Sequence, residues 1–263
     1  MNLDISASDN YINSVVLSHS PNVTYDVIQI GNELNIHILS WANGHEYELK
    51  LSGSLAKGTG ITGTTDIDYF ISLNPSVSTC NTLQQVYTTL KNRFNGAGYS
   101  VREQNVSIGI NHSGYKIDLV AGVEQSLNSA DHSIWKRKPG TWTKTNIDEH
   151  ISYVANSGRI SDIKALKIWR KLWSLDFPSF YLELSVIEAL SGKSYSRSPS
   201  QNFIDIMTYL ANDFEDKVIL DPSNLGNEVS EELTQVEKAK IKNEAASSLT
   251  SIYLTGNLSP VIW

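Results

Sequence analysis

Gly53-Ser54-Leu55-Ala56-Lys57-Gly58-Thr59-Gly60-Ile61-Thr62-Gly63-Thr64-Thr65-Asp66-Ile67-Asp68 runs from a Gly-Ser turn, through a spacer rich in glycine and threonine, to two alternate aspartates. The aspartates open an apolar run that continues through Tyr69-Phe70-Ile71-Ser72-Leu73. Alternate residues of an extended chain share a face, so Asp66 and Asp68 point to one side while Ile67 and its successors face a core. Two carboxylates held that close repel. The usual remedy is a divalent cation with hard oxygen ligands, most often Mg2+ when phosphates supply the remaining ligands. Upstream, Gly53 can take backbone angles closed to other residues, and Ser54 adds a hydroxyl beside exposed amides, which makes an anion nest suited to a triphosphate.

A third acid stands in Tyr115-Lys116-Ile117-Asp118-Leu119-Val120-Ala121, another apolar strand. An unpaired aspartate is costly to bury there, and a metal site accounts for it. Each element also has a plainer reading. Gly/Ser/Thr clusters mark ordinary turns, Asp-x-Asp occurs at solvated strand ends and in calcium loops, and Asp118 fits an edge strand or a cap. Taken together, in this order and spacing, the three elements favour the metal and phosphate reading.

The pattern of Gly-Ser, a short Gly/Thr-rich spacer, Asp-x-Asp and a distal Asp on a neighbouring strand resembles the nucleotidyltransferase superfamily. That superfamily includes DNA polymerase β, the CCA-adding tRNA enzymes, oligoadenylate synthetases and the bacterial cyclic-oligonucleotide synthases. The resemblance implies an α+β fold, with a polymerase β-like palm (a mixed sheet with flanking helices) followed by an all-helical second domain. It implies a catalytic domain with an N-terminal helix over 1–145 and a helical, nucleotide-closing domain over 146–263. By the same resemblance Asp66, Asp68 and Asp118 would carry catalysis and hold two Mg2+ or Mn2+ ions, while Gly53 and Ser54 would hold the β and γ phosphates. Thr65 stands where many relatives have serine.

The resemblance continues into the second half. Arg159 to Arg170 reads as an amphipathic helix and Phe177-Pro178-Ser179-Phe180-Tyr181-Leu182-Glu183-Leu184 opens another. In the CCA-adding and cyclic-oligonucleotide branches such helices close over the triphosphate, which carries phosphate contacts to Lys167 and Ser179 and a base-stacking role to Tyr181. Against these stand a solvated helix lysine, a helix cap after Pro178 and a core aromatic. Asp221-Pro222-Ser223-Asn224-Leu225-Gly226-Asn227 resembles an architectural turn of the same branches.

Composition fits an enzyme with a sizeable core: 263 residues, 40% hydrophobic and 19% charged. No apolar stretch is long enough for a membrane span and no signal peptide opens the chain, so the expected location is cytoplasmic. The single Cys80 excludes an internal disulfide and a multi-cysteine zinc site. With 21 basic against 28 acidic residues the net charge is −7, which argues against a broad cationic surface for a duplex or a whole tRNA. The best local basic groove is Trp135 to Asn146, a loop-like stretch mixing cations with two tryptophans. It suits a flexible single strand or an incoming nucleotide, or else a solvated loop whose tryptophans pack on the core.

Periodicity predicts a helix from about Tyr25 to Trp41, with Val27, Ile30, Leu34, Ile38 and Trp41 at steps of three and four. Leu34, Ile36 and Ile38 also alternate and Gly31 interrupts, so a strand over the second part is the competing reading. A strand at Glu46–Leu51, a helix at Thr82–Phe94 stopped by Gly96 and Gly98, and a hairpin across His112-Ser113-Gly114 follow. Helices are expected over 147–156, 159–173, 178–191, 200–213 and 231–249. The tail, Thr250 to Trp263, is too apolar for a disordered tag and is expected to dock on its own chain or a partner.

Fold alone does not choose the acceptor hydroxyl. The leading expectation is a template-independent, pyrophosphate-releasing nucleotidyltransferase that makes a short single-stranded oligonucleotide or nucleotide signal from nucleoside or deoxynucleoside triphosphates. Bacterial anti-phage defence contains such enzymes, including a Hailong-type branch that this chain resembles in size, with an effector protein encoded nearby as a partner. Some protein-primed relatives start on a side-chain hydroxyl, for which Tyr253, Ser251 and Thr250 are the candidates here. The alternatives are transfer to a tRNA end, a small molecule or a partner protein, an inactive nucleotide sensor, and an antitoxin or scaffold acting through the helical half.

Overall fold

The computed structural model describes residues 3–21, 24–63, 66–79 and 81–263, so the readings made for Thr65 and Cys80 fall outside the described residues. The chain divides into two units. One comprises 22–57 and 65–151, the other 1–21, 58–64 and 152–263. This differs from a single cut at residue 145: the first 21 residues and the 58–64 segment group with the helical half.

The first unit is built on a mixed sheet of β1 (Tyr47–Ser52), β2 (Ile67–Leu73), β3 (Arg102–Glu103), β4 (Ile108–His112), β5 (Tyr115–Glu124), β6 (His132–Lys136) and β7 (Thr141–Thr145). The spatial order is β1-β2-β5-β4-β3, with β6 also against β5 and β7 against β6. Only β2 and β5 run parallel among the pairs of this sheet. A parallel pair needs a crossover. It contains helix α4 (Leu83–Gly96), started by a reciprocal capping box between Thr82 and Gln85.

Helix α2 (Thr24–Ala42) covers the same side of the sheet, burying Val27, Ile30, Leu34 and Ile38 against Ile67, Tyr69, Ile71, Ile117 and Leu119. The competing strand reading of its second part fails because Ile36 is 69% exposed, so the apolar period is that of a helix. Gly31 is tolerated inside it because a side chain there would press on the Tyr69 ring, whose hydroxyl donates to the Val27 carbonyl. The turn at Ser113-Gly114, with φ of 49° and 83°, joins β4 to β5 as a tight hairpin.

The stretch from Trp135 to Asn146 is not a loop. It folds largely into the β6–β7 hairpin, with Trp135 opposite Trp142 and a turn through Gly140 at φ 65°. Register decides which side the tryptophans occupy. Gly122 pairs with Ile134, so Ile134 and Lys136 share the face of Asp118, and Trp135 and Trp142 lie on the opposite, helix-covered face. Trp135 packs against that core and Trp142 is 55% exposed.

The second unit is helical: α1 (Ile5–Ser18), α6 (Ile160–Leu172), α7 (Ser179–Ala189), α8 (Pro199–Asn212) and α9 (Gln235–Thr255). Helix α5 (Ile147–Ala155) leads into it, and the one-turn helix α3 (Gly53–Ala56) precedes its 58–64 segment. Trp169, Phe177, Tyr181, Phe203 and Phe214 fill its core. A two-stranded ribbon, β8 (Leu220–Asp221) and β9 (Asn224–Glu228), carries the Asp221 turn, in which Asp221 accepts from the amide and hydroxyl of Ser223 and from Asn227. The last helix begins at a Thr234–Glu237 capping box and runs to Thr255, six residues beyond the expected end at 249, with Gly256 at φ 65° as its C-cap. The tail docks on its own chain: Leu258, Val261 and Ile262 are buried, Tyr11 donates to the Ile262 carbonyl at 3.0 Å and Trp173 to the Val261 carbonyl at 3.0 Å. No described helix is long and apolar enough to cross a membrane.

Candidate active site

The edge strand β1 and its neighbours β2 and β5 set Ser52, Asp68 and Asp118 side by side on one rung, Ser52 opposite Asp68 and Asp68 opposite Asp118. Directly opposite residues on neighbouring strands point to the same face, so both carboxylates project together. Asp66 immediately precedes β2 and lies close enough to Asp118 for its charge to act on it.

β1 ends at Ser52, and the chain turns at Gly53 with φ 62°, a left-handed conformation that L side chains rarely adopt. A Cβ at Gly53 would lie 1.8 Å from Asp68 Oδ2 and 2.4 Å from its Cγ. Glycine is therefore required twice here, for the backbone angle and for the approach of the turn to the carboxylate. Ser54 follows in α3 and is partly buried.

Asp118 is held from the other side. Gln104 Nε2 donates to its Oδ1 at 2.8 Å, and Gly109, its rung partner on β4, leaves room above it. A Cβ at Gly109 would stand 3.0 Å from each of Asp118 Oδ1, Gln104 Nε2 and Arg102 Nη2. Burial pushes the Asp118 carboxyl above the ordinary aspartate range and the nearby Asp66 charge adds to this, while the Gln104 bond and the Arg102 and Lys116 charges oppose it. Among the described residues no three acidic, histidine or cysteine side chains already stand together as a metal cage. What the sheet provides is an all-oxygen, like-charged group on one face, the donor chemistry that hard cations take.

The candidates from the second half occupy the helical unit. Lys167 is 2% exposed and its Nζ lies 2.6 Å from Glu183 Oε1 and 2.8 Å from Thr59 Oγ1. Thr59 in turn donates to Glu183 at 2.6 Å. The arrangement is a buried ion pair that grips the 58–64 segment, and it is neither a solvated lysine nor one exposed to an incoming anion. One turn on, Lys171 is exposed and donates to the Thr62 carbonyl at 3.0 Å. Ser179 is exposed at the start of α7 and accepts from Arg170 at 3.1 Å, with no cap bond of its own. Tyr181 is wholly buried between Phe177 and Phe214, so a base-stacking role is corrected to a core role. Burial drives its phenol far above the usual range, and its hydroxyl has no partner among the described residues.

Sequence reasoning missed Gln104, Arg102, Gly109, Thr59 and Glu183. Glu183 had a visible signal, a single acid in the apolar run Tyr181-Leu182-Glu183-Leu184, the same signal that singled out Asp118. Gln104 and Arg102 had none, because their role depends on the fold-back of β3 on β4.

No protein-family model and no curated protein matches the sequence. Solved structures do match. The E. coli MS115-1 CdnC structure with ATP superposes at a TM-score of 0.74 with 21% identity, over 94% of this chain and 91% of that one. The Bradyrhizobium diazoefficiens CD-NTase CdnG in complex with GTP gives 0.69 at 10% identity, over 95% and 94%. Cid1 in complex with the UTP analogue UMPNPP gives 0.61 at 11% identity, over 94% and 93%. At such identities the likeness is one of fold, and the fold is that of the polymerase β-like nucleotidyltransferases.

Proposed function

We propose that this chain is a metal-dependent, template-independent nucleotidyltransferase that uses a nucleoside or deoxynucleoside triphosphate to build a short oligonucleotide or nucleotide signal. The observation that carries the reading is the fit of Gly53 against Asp68 on the rung shared with Asp118. This close approach of a Gly-Ser turn to paired carboxylates, open to glycine alone, supports the reading because it sets amides beside acids, as a phosphate bridged to a cation requires. The fold likeness to CdnC and CdnG supports the same reading.

Asp66, Asp68 and Asp118 are the residues that would hold two divalent cations, Mg2+ or Mn2+. Bound there, the ions would supply charge neutralisation for the triphosphate and lower the barrier to attack by a hydroxyl. The acceptor oxygen forms a bond to the α-phosphorus, the bond to the β-phosphate bridging oxygen breaks and pyrophosphate leaves with the electron pair. Asp118 takes the hydroxyl proton, a task that suits a carboxylate raised by burial and a neighbouring acid. Gly53 and Ser54 cradle the β and γ phosphates. Lys167 anchors the 58–64 segment within the helical unit, and Ser179, exposed beside the half-buried Arg170, keeps the phosphate-contact role that the resemblance gives it.

The priming hydroxyl, where the protein itself primes, is Tyr253 in preference to its neighbours. It is 60% exposed near the end of α9, whereas the Thr250 hydroxyl is committed to the Ala246 carbonyl and Ser251 is partly buried. The proposal extends to a role in bacterial anti-phage defence, in the cytoplasm and with an effector encoded nearby, as the sequence resemblance implies. The test is incubation of the protein with Mg2+ or Mn2+ and each labelled ribo- and deoxyribonucleoside triphosphate, followed by resolution of free products and intact-mass measurement of the protein. Oligonucleotide product, free or attached, is expected; absence of both from every reaction sinks the proposal.

A further inference from the structure

We infer that the acceptor side of Asp118 is a phosphate-binding rim, formed by Arg102, Lys116, Lys136 and Arg137, that selects an anionic acceptor, the phosphate-bearing end of a short single strand. This rests on the proposed transferase reading and names the class of molecule whose hydroxyl the site uses. It applies to elongation once a first nucleotide is in place, whatever primes it.

Register puts the cations on the carboxylate face. Arg102 pairs with Gly109, which pairs with Asp118, so all three share that face, as does Lys116 two residues before Asp118. Lys136 reaches the same face along β6. The absence of a side chain at Gly109 lets Arg102 Nη2 and Gln104 Nε2 converge with Asp118 Oδ1 about a single point, 3.0 Å from each. Arg137, at the hairpin turn, is fixed to the same loop: its amide donates to the Asn105 carbonyl at 2.7 Å and its Nε to the Gln104 carbonyl at 3.2 Å. The group is thus built by the sheet and by the Gln104–Asn105 turn.

The chain carries −7, and among the described residues nine lysines and arginines are engaged in ion pairs. Among the described residues Arg102, Lys116, Lys136 and Arg137 take part in none of those pairs, and Arg102, Lys116 and Arg137 are exposed. Unpaired cations collected beside an acidic site suit the phosphates of a flexible strand, and they repel a cationic polyol acceptor such as an aminoglycoside. The tryptophans of the hairpin lie on the other face and take no part.

The test uses full-length protein and a fluorescein-labelled single-stranded deoxyhexanucleotide, with Mg2+ but no triphosphate, and reads anisotropy over a potassium chloride series. Wild type is expected to bind with an affinity that falls with salt. Arg102→Gln/Lys116→Gln should bind roughly tenfold more weakly at low salt, and its log–log salt slope should flatten by about 1.4, two phosphate contacts on a single strand. Lys240→Gln/Lys242→Gln on α9 removes the same charge elsewhere and should bind as wild type. In transfer reactions the rim variant should raise KM for the hexanucleotide and leave KM for the triphosphate unchanged. Equal affinity and slope in wild type and rim variant, no hexanucleotide binding by wild type, or preferential extension of an aminoglycoside would each overturn the inference. Rim-dependent binding with no incorporation from any triphosphate would support the rim and sink the transferase reading, so the two fail separately.

Discussion

Gly53→Ala tests the site through one methyl group. Two costs can be worked out. Alanine at φ 62° pays about 1–2 kcal/mol for the left-handed conformation. The added Cβ lies 1.8 Å from Asp68 Oδ2 where real contacts keep at least 3.0 Å, a shortfall of 1.2 Å. The Asp68 backbone cannot yield it, because that residue is laddered to Ser52 on one side and Asp118 on the other. The carboxylate must rotate away, at a cost of about 1–3 kcal/mol for an overpacked site. The expected total is a loss of about 2–5 kcal/mol in urea denaturation, and a fall in transfer of about 100-fold or more, since a misplacement near 1 Å has that effect. Gly44→Ala is the control. Its φ is 86° and nothing lies within 4 Å of the added Cβ, so it should show the backbone cost alone and keep its activity. Equal stability and equal activity of the two variants would refute the claim that Gly53 is there to admit Asp68.

Three other outcomes are expected. Asp118→Asn keeps an acceptor for Gln104 and removes a charge whose pKa the fold raises, so the folded state is favoured by protonation and pays as pH rises through the raised value. In metal-free protein the melting temperature of the variant should exceed that of wild type by a margin that grows as pH rises above the ordinary aspartate value of about 4 and levels off once the raised value is passed, and a variant that is less stable throughout contradicts this. Glu183→Gln strips the partner from a buried lysine and should cost about 3–5 kcal/mol by denaturation, while Lys167→Met/Glu183→Leu should cost less; wild-type stability in Glu183→Gln would show that the pair is not the anchor described. Tyr181→Phe removes a buried hydroxyl without a partner, so stability should hold or rise by about 1 kcal/mol, and a loss above about 2 kcal/mol would mean that the hydroxyl is bonded.

Much of the sheet could be read from the chain because its signals are local. Alternation marked β2 and β5, and Gly96 and Gly98 marked where α4 ends. The assignment of Asp66, Asp68 and Asp118 to one centre needed a parallel register, which no local pattern encodes, and it came from resemblance. Lys167 shows the limit. Its helix was readable, but whether it meets solvent or Glu183 depends on the packing of α6 against α7 and on Thr59, more than a hundred residues away in sequence. The Trp135–Asn146 stretch was taken for a loop because Lys136-Arg137-Lys138-Pro139-Gly140 dominates its composition; those residues form only the turn and its flank, while Trp135 before it and Thr141 to Thr145 after it lie in strands. Tyr181 was ambiguous by nature, since an aromatic at helical spacing looks alike whether it faces a base or a core.

The most direct measurement is pyrophosphate release from triphosphate by wild type and by Asp66→Ala/Asp68→Ala, in Mg2+ or Mn2+ and after chelation. The account predicts cation-dependent release by wild type, accompanied by nucleotide incorporation, and none from the double variant, which should still fold. Release at the wild-type rate from the double variant, or undiminished release by wild type after chelation, would contradict it.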